Sequence, residues 1–184
     1  MENELRDLLL ELQADDIAMR RELIDAGELY QPGYHPRMAE VHRRNNAALR
    51  QIVERWGWPG IRLVGEDGCE AAWKIAQHAI LDQDLQERCL ELLKDAVQNG
   101  DAQPWQLAML TDRVLMQQGK PQIYGTMTVG DGNDGVMLWK LAEPEKVDSL
   151  REQAGLPPLE ANMRRIREEV NFVLDKEKAA RKET

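Results

Sequence analysis

Cysteine is scarce in this chain of 184 residues, and so is positive charge. Cys69 and Cys89 are its two cysteines, too few for a disulfide framework, and no CxxC spacing joins them. Lysine and arginine number 24 against 33 aspartates and glutamates, giving a formal charge of −9 and a pI near 4.9. A surface this acidic argues against nucleic acid and anionic membranes as partners, which are usually met by basic patches. No apolar run approaches the ~20 residues that cross a bilayer. Met1 leads into Glu2, Asn3 and Glu4, not into a positive, apolar and small-residue signal pattern. These absences set the expectation of a cytoplasmic location.

What is present suits a packed core. Apolar residues make up 42% of the chain, ordinary for a globular protein, and the length fits one domain over residues 1–184. Leu5, Leu8, Leu9, Leu12, Met19 and Leu23 follow three-four spacing, which predicts a helix over 3–26. A turn-rich stretch with Gly27, Pro32, Gly33 and Pro36 follows. A second helix is expected near 37–56, with Met38, Val41, Ala48, Leu49 and Ile52 as its stripe. Beyond Gly57, Pro59 and Gly60, Ile61–Val64 reads as extended. Helices are then expected near 66–80, from Asp82 or Asp84 to before Gly100, and from Pro104 to Gly119.

After Gly119 the period changes. The runs Ile123–Val129 and Val136–Trp139 flank a loop at 130–135, which predicts a β-hairpin near 121–140. Helix returns at 144–154 and 158–181, and Lys176–Thr184 is charged enough to fray. The fold expected is a mostly α, single-domain helical bundle with one β-hairpin inserted before the C-terminal helices.

Polar residues interrupt several of the apolar stripes. Asp16 falls between Leu12 and Leu23, Asn45 between Val41 and Leu49, His78 beyond Ile75, and Asp112 at the edge of its stripe. A buried polar side chain costs a few kcal/mol unless a partner satisfies it, so these breaks suggest a shared polar centre. If the third and fifth helices pack together, Asp112 could orient His78 and raise its basicity. Arg20, one turn after Asp16, either bridges to it or, like Arg113, anchors a substrate carboxylate or phosphate. Asn45 either joins the centre or bridges helices. His35 and His42, among arginines, read as surface residues.

Other motifs carry less. The loop at 130–135 spells GxGxxG, but a strand follows it where a dinucleotide site needs a helix, and Asp131 and Asp134 would repel phosphate. It also lacks the glycine and glutamate of an EF-hand. Cys69 lies across the helix from His78, so no nucleophile completes a triad. Asp16, His78 and Asp112 could ligate a metal, yet nothing in their spacing argues for one; no metal and no cofactor is expected.

Several fragments recur in order along the chain: Asp16-x-x-x-Arg20, Arg44-Asn45 before Leu49, Gly57-Trp58-Pro59, Gln77-His78-Ala79, Leu110-Thr111-Asp112-Arg113, Gln122-x-Tyr124-Gly125-Thr126 and Gly155-Leu156-Pro157-Pro158-Leu159. Together they resemble a bacterial family of unknown function. The chain departs from that pattern at Ile17 and Met127, where glutamine often stands. The resemblance implies that Gln122 and Tyr124 matter, and strand alternation would turn both the same way: toward His78 they would roof the polar centre, and otherwise Tyr124 merely packs with its hydroxyl in water.

The reading that follows is a small enzyme acting on a small molecule or peptide. His78 and Asp112 are its expected acid–base centre. Asp16, Arg20, Asn45, Arg113, Gln122 and Tyr124 are expected to bind substrate. The alternative is a non-catalytic acidic adaptor or immunity-type module that binds a protein partner. An enzyme needs His78 at the floor of a pocket that reaches solvent; an adaptor would close the network.

Overall fold

The computed structural model describes residues 2–29, 33–131 and 135–180, the last four by backbone alone. Among the described residues the chain forms α1 (Asn3–Asp25), α2 (Pro36–Trp56), α3 (Ile61–His78), α4 (Gln83–Gln98) and α5 (Pro104–Gln117). The strands β1 (Thr128–Gly130) and β2 (Val136–Leu138) follow. A 3-10 turn at Pro144–Lys146 leads into α6 (Val147–Gln153), and α7 (Leu159–Ala180) comes last. The fold is therefore mostly α, with a hairpin ahead of the C-terminal helices, as its periodicity predicts.

Several helices begin where the sequence supplies acceptors for their first N–H groups. Pro36 occupies the first turn of α2, where the His35 ring accepts from the Arg37 N–H at 3.3 Å. Asp82 accepts from the Leu85 N–H at the start of α4, and Gln103 and Gln106 form a reciprocal capping box on α5. Ile61–Val64, expected as extended, is instead a helical turn. Asp101 makes it so: its carbonyl accepts from Ile61 and its carboxylate from Arg62, at 2.9 and 2.7 Å. Gly65, at φ 78° and ψ 172°, then kinks the chain into the main body of α3.

The core joins Leu9 and Leu12 of α1, Leu49 and Ile52 of α2, Ala72 and Ile75 of α3, Leu93 of α4 and Leu110 of α5. Small residues on α3 let α1 lie close to it. A Cβ added at Gly68 would stand 3.3 Å from Arg6 of α1 and 2.8 Å from Val64. Asn45 ties α2 to α1, its amide donating to the Leu12 carbonyl at 2.9 Å.

The hairpin is shorter than expected, with Val129 opposite Met137 in antiparallel register. Residues 122–127 form a loop instead of a strand. Residues 132–134, at the centre of the GxGxxG reading, lie outside the described residues. So do residues 181–184 of the tail expected to fray. No helix among the described residues is long and apolar enough to cross a membrane.

Candidate active site

Three helices deliver their polar stripe residues to one place. Asp16 of α1 is 2% exposed, and an imidazole meets each of its carboxylate oxygens. His42 of α2 places Nε2 3.1 Å from Oδ1, and His78, the last residue of α3, places Nδ1 against Oδ2. The Tyr34 hydroxyl closes the chain at the far side of His42, bonded to its Nδ1. Tyr34, His42, Asp16 and His78 thus form one continuous relay.

The proton positions follow from the carboxylate. Burial pushes the Asp16 carboxyl up, but the hydrogen bonds from His42 and His78 outweigh it and hold the group well below the usual carboxylate range. An ionised carboxylate only accepts, so His42 carries its proton on Nε2 and His78 on Nδ1. The Tyr34 hydroxyl then donates to the bare Nδ1 of His42. Burial, followed by the nearby charge of Asp16, pushes the Tyr34 phenol up to about 12, which keeps it a donor. With Nδ1 of His78 committed to Asp16, its Nε2 lone pair is free.

Only one of the two rings meets solvent well. The His42 and Asp16 side chains are 7% and 3% exposed, whereas that of His78 is 33% exposed. Protein still crowds the His78 ring, and this burial draws its pKa below the ordinary imidazole value against the opposing pull of Asp16. His78 is accordingly a neutral base at neutral pH, with its free nitrogen in the accessible part of the relay.

A cavity of about 230 Å³ opens over the relay. Asp16, Tyr34, His42 and His78 line it together with Arg20, Gln77 and Arg113, and Leu29, Met38 and Ile80 supply apolar wall. No serine, threonine, cysteine or lysine is among the residues lining it. Arg113 is held from α5, its Nε donating to the Gln77 side-chain oxygen at 3.3 Å. Burial lowers the pKa of its guanidinium. The two cysteines are elsewhere, in α3 and α4, both buried and free. Burial raises the pKa of both thiols, that of Cys89 to about 12.

The structure brings Asp16, Arg20, His78 and Arg113 together around the cavity and places Asn45, Asp112, Gln122 and Tyr124 outside it. Helices α3 and α5 do pack, but beside the cavity the contact is Gln77 with Arg113, each one residue away from the expected His78 and Asp112. One residue turns about 100° around a helix, so Asp112 points away from the cavity. Its carboxylate accepts the backbone N–H groups of Ile123, Tyr124 and Thr126 and the Thr126 hydroxyl, at 2.7–3.1 Å. Asp112 is a clasp for the 122–127 loop, and the orienting carboxylate of His78 is Asp16.

Gln122 and Tyr124 belong to the same clasp. The Gln122 amide donates to the carbonyls of Met127 and Trp139 and accepts from the Met127 N–H. It is fully buried, with both amide N–H donors spent on backbone carbonyls, and it does not line the cavity. Arg151, 1% exposed, locks the outside of the loop by donating to the carbonyls of Tyr124, Gly125 and Pro157. The bonds at residue 127 are made by its main chain, so the Met127 side chain does not decide them, and Ile17 is 55% exposed. Asn45 bridges helices and does not line the cavity.

A family model matches residues 3–174 and describes a family of unknown function. The chain belongs to this family, DUF6624. Neither curated proteins nor solved structures give a match. The DUF6624 match takes in the relay, both cavity arginines and the clasp.

Two members of the site escaped the sequence reading. Met38, His42, Asn45, Leu49 and Ile52 keep three-four spacing, so the α2 stripe itself carried the signal for His42, which is buried and not on the surface. Tyr34 lies in the irregular segment before α2, where no period marks it. His42 also corrects the metal set considered above. Asp16, His42 and His78 offer ligand atoms within 4.8 Å of one another, the one such group among the described residues. In the arrangement seen, both rings direct those atoms at the carboxylate instead.

Proposed function

We propose that this DUF6624 protein is an enzyme acting on a small molecule, with His78 as general acid–base and Asp16 as the carboxylate that orients it. The observation that carries this reading is the Asp16–His78 pair at the floor of an open cavity. A carboxylate accepting from Nδ1 fixes the ring tautomer, raises the basicity of Nε2 and stabilises the imidazolium formed when Nε2 takes a proton. His42 and Tyr34 complete the second half of the relay and hold Asp16 ionised and still. With no serine, threonine, cysteine or lysine lining the cavity, the proton His78 removes comes from water or from the substrate itself. Hydrolysis by an activated water and proton abstraction at carbon are the reaction classes that fit.

The proposal includes a bacterial, cytoplasmic protein, supported by the acidic charge and by two free, buried thiols. The competing reading, an acidic module that binds a protein partner, draws support from the net charge of −9. It calls for a closed polar network, and it is disfavoured by a relay that opens into a cavity.

The test is an NMR pH titration of the three histidines, assigned with His78→Gln. His78 is expected to titrate below the ordinary imidazole value of about 6.5. In Asp16→Asn its titration should move lower again, because the carboxylate that favours its proton is gone. Asp112→Asn should leave it in place. A His78 that titrates as a free imidazole and ignores Asp16 removes the acid–base reading.

A further inference from the structure

Among the described residues, the cavity carries more positive charge than its one carboxylate offsets. Elsewhere, arginines that tie helices together meet carboxylates, Arg6 with Asp67, Arg44 with Asp15 and Arg50 with Asp82, and the buried Arg151 is met by three backbone carbonyls. Arg20 and Arg113 differ. Both are partly buried and line the same cavity, and among the described residues neither has a carboxylate partner. Arg113 has one hydrogen bond, through Nε to Gln77, which leaves the two terminal nitrogens of its fork without acceptors. An unpaired arginine on an open surface is ordinary, since water serves it. Two in one cavity wall, in a chain with 33 acidic residues to choose from, are a different matter.

Asp16 does not answer for them. Each of its oxygens is taken by an imidazole, so its spacing from Arg20, which suits an in-helix bridge, is not used. Arg20 and Arg113 against Asp16 leave the cavity one positive charge in excess. Protonation of His78 would add a second.

We propose that Arg20 and Arg113 form a receptor for an oxyanion, so that the ligand of this cavity is a small molecule ending in a carboxylate or a phosphate group. A guanidinium offers N–H donors in a planar fork that matches two oxygens of either group. The Gln77 carbonyl holds the Arg113 fork by its Nε edge and leaves the terminal edge for the ligand. A cavity of about 230 Å³ falls below the ~300–1,000 Å³ typical for drug-sized ligands, which suits a small metabolite. The anion would enter from the open side, dock on the arginines and place its remaining atoms over His78. The inference rests on the proposed function only for what happens to the ligand after binding; the receptor stands or falls separately.

Inorganic phosphate and acetate are the probes. Each is titrated into the whole protein while the Arg Nε–Hε and histidine ring resonances are followed, with chloride at equal ionic strength as control. At least one ion should shift the Arg113 Nε–Hε signal saturably in the wild type. Arg113→Gln and Arg20→Gln should each weaken that binding by about tenfold or more, the size of one charge-assisted hydrogen bond. Arg113→Lys keeps the charge and loses the fork, and should recover only part of the affinity. Tighter binding of phosphate assigns a phosphate handle, and tighter binding of acetate a carboxylate handle.

A shift that chloride reproduces, or binding unchanged in a folded Arg20→Gln variant, overturns the receptor. The backbone amide spectrum of each variant shows whether it has folded, and Arg20→Gln serves if Arg113→Gln does not fold. Anion binding with an ordinary His78 titration would retain the receptor and remove the acid–base reading. The reverse result would do the opposite.

Discussion

Two buried aspartates in this fold show how partners decide what a residue is for. Asp112 accepts three backbone N–H groups and a hydroxyl from one loop, so its charge is dispersed into fixed main-chain dipoles with no exchangeable partner among them. Asp16 accepts from two imidazoles, whose protons can come and go. The first arrangement holds a structure and the second can do chemistry. Asp112→Ala would strand the loop's donors in the interior and is expected to cost about 2–4 kcal/mol. Asp16→Ala leaves two ring N–H groups unpaired beside an open cavity that can admit water, and should cost less, about 1–3 kcal/mol. Urea unfolding measures both, and a reversed order would remove the division of roles between them.

The two aspartates also mark what could be read ahead of the structure. Asp16 and His78 stand on apolar stripes, and that misfit alone was enough to find them. His42 obeys the same rule, yet Arg43 and Arg44 beside it made the segment look solvated, although on a helix those neighbours point elsewhere. The partners of Asp112 lie 11 to 14 residues further along in an irregular loop, where no period connects the two.

At the scale of elements, the site depends on how α3 is set. That helix contributes His78 and Gln77 from its last turn and packs along α1, which carries Asp16 and Arg20. Its first turn, Ile61–Val64, bends away at Gly65, so that Leu63 can accept from the N–H of Glu2 at the start of α1, at 2.8 Å. The backbone at Gly65, φ 78° and ψ 172°, is in a region that residues with a Cβ scarcely enter. Gly65→Ala is therefore expected to destabilise the fold by about 1–3 kcal/mol, read as a lower denaturation midpoint. A neutral effect would mean the kink is absent in solution. Pro59 and Gly60 announced a break before α3, but nothing local announced the turn that follows, because Asp101, some forty residues downstream, supplies its cap.

For the molecule as a whole, the relay makes stability depend on pH in one direction. Folding lowers the pKa of His78 below 6.5 and that of Asp16 below 3.8. In both windows the unfolded chain binds more protons than the native one, so each group's contribution falls as pH falls. His78 loses its share first, below about 6.5, and Asp16 follows below about 3.8. Repulsion among the many acidic side chains relaxes over the same range and works the other way. The comparison that isolates the relay is therefore between the wild type and His78→Gln. Between about pH 7 and pH 5 the wild type should lose more stability than the variant. An equal or smaller loss would place the His78 pKa at or above its ordinary value.

The buried thiols have a consequence of a different kind. Cys69 on α3 and Cys89 on α4 are both about 1% exposed or less, and raised pKa values leave them little thiolate. At that exposure a thiol reagent reaches them mainly when the protein opens, so the rate of labelling is governed more by opening than by sulfur chemistry. Each cysteine is thus a built-in clock for the helix that bears it. The one on α3 keeps time for the same helix that presents His78, and any ligand that closes over the cavity must slow it.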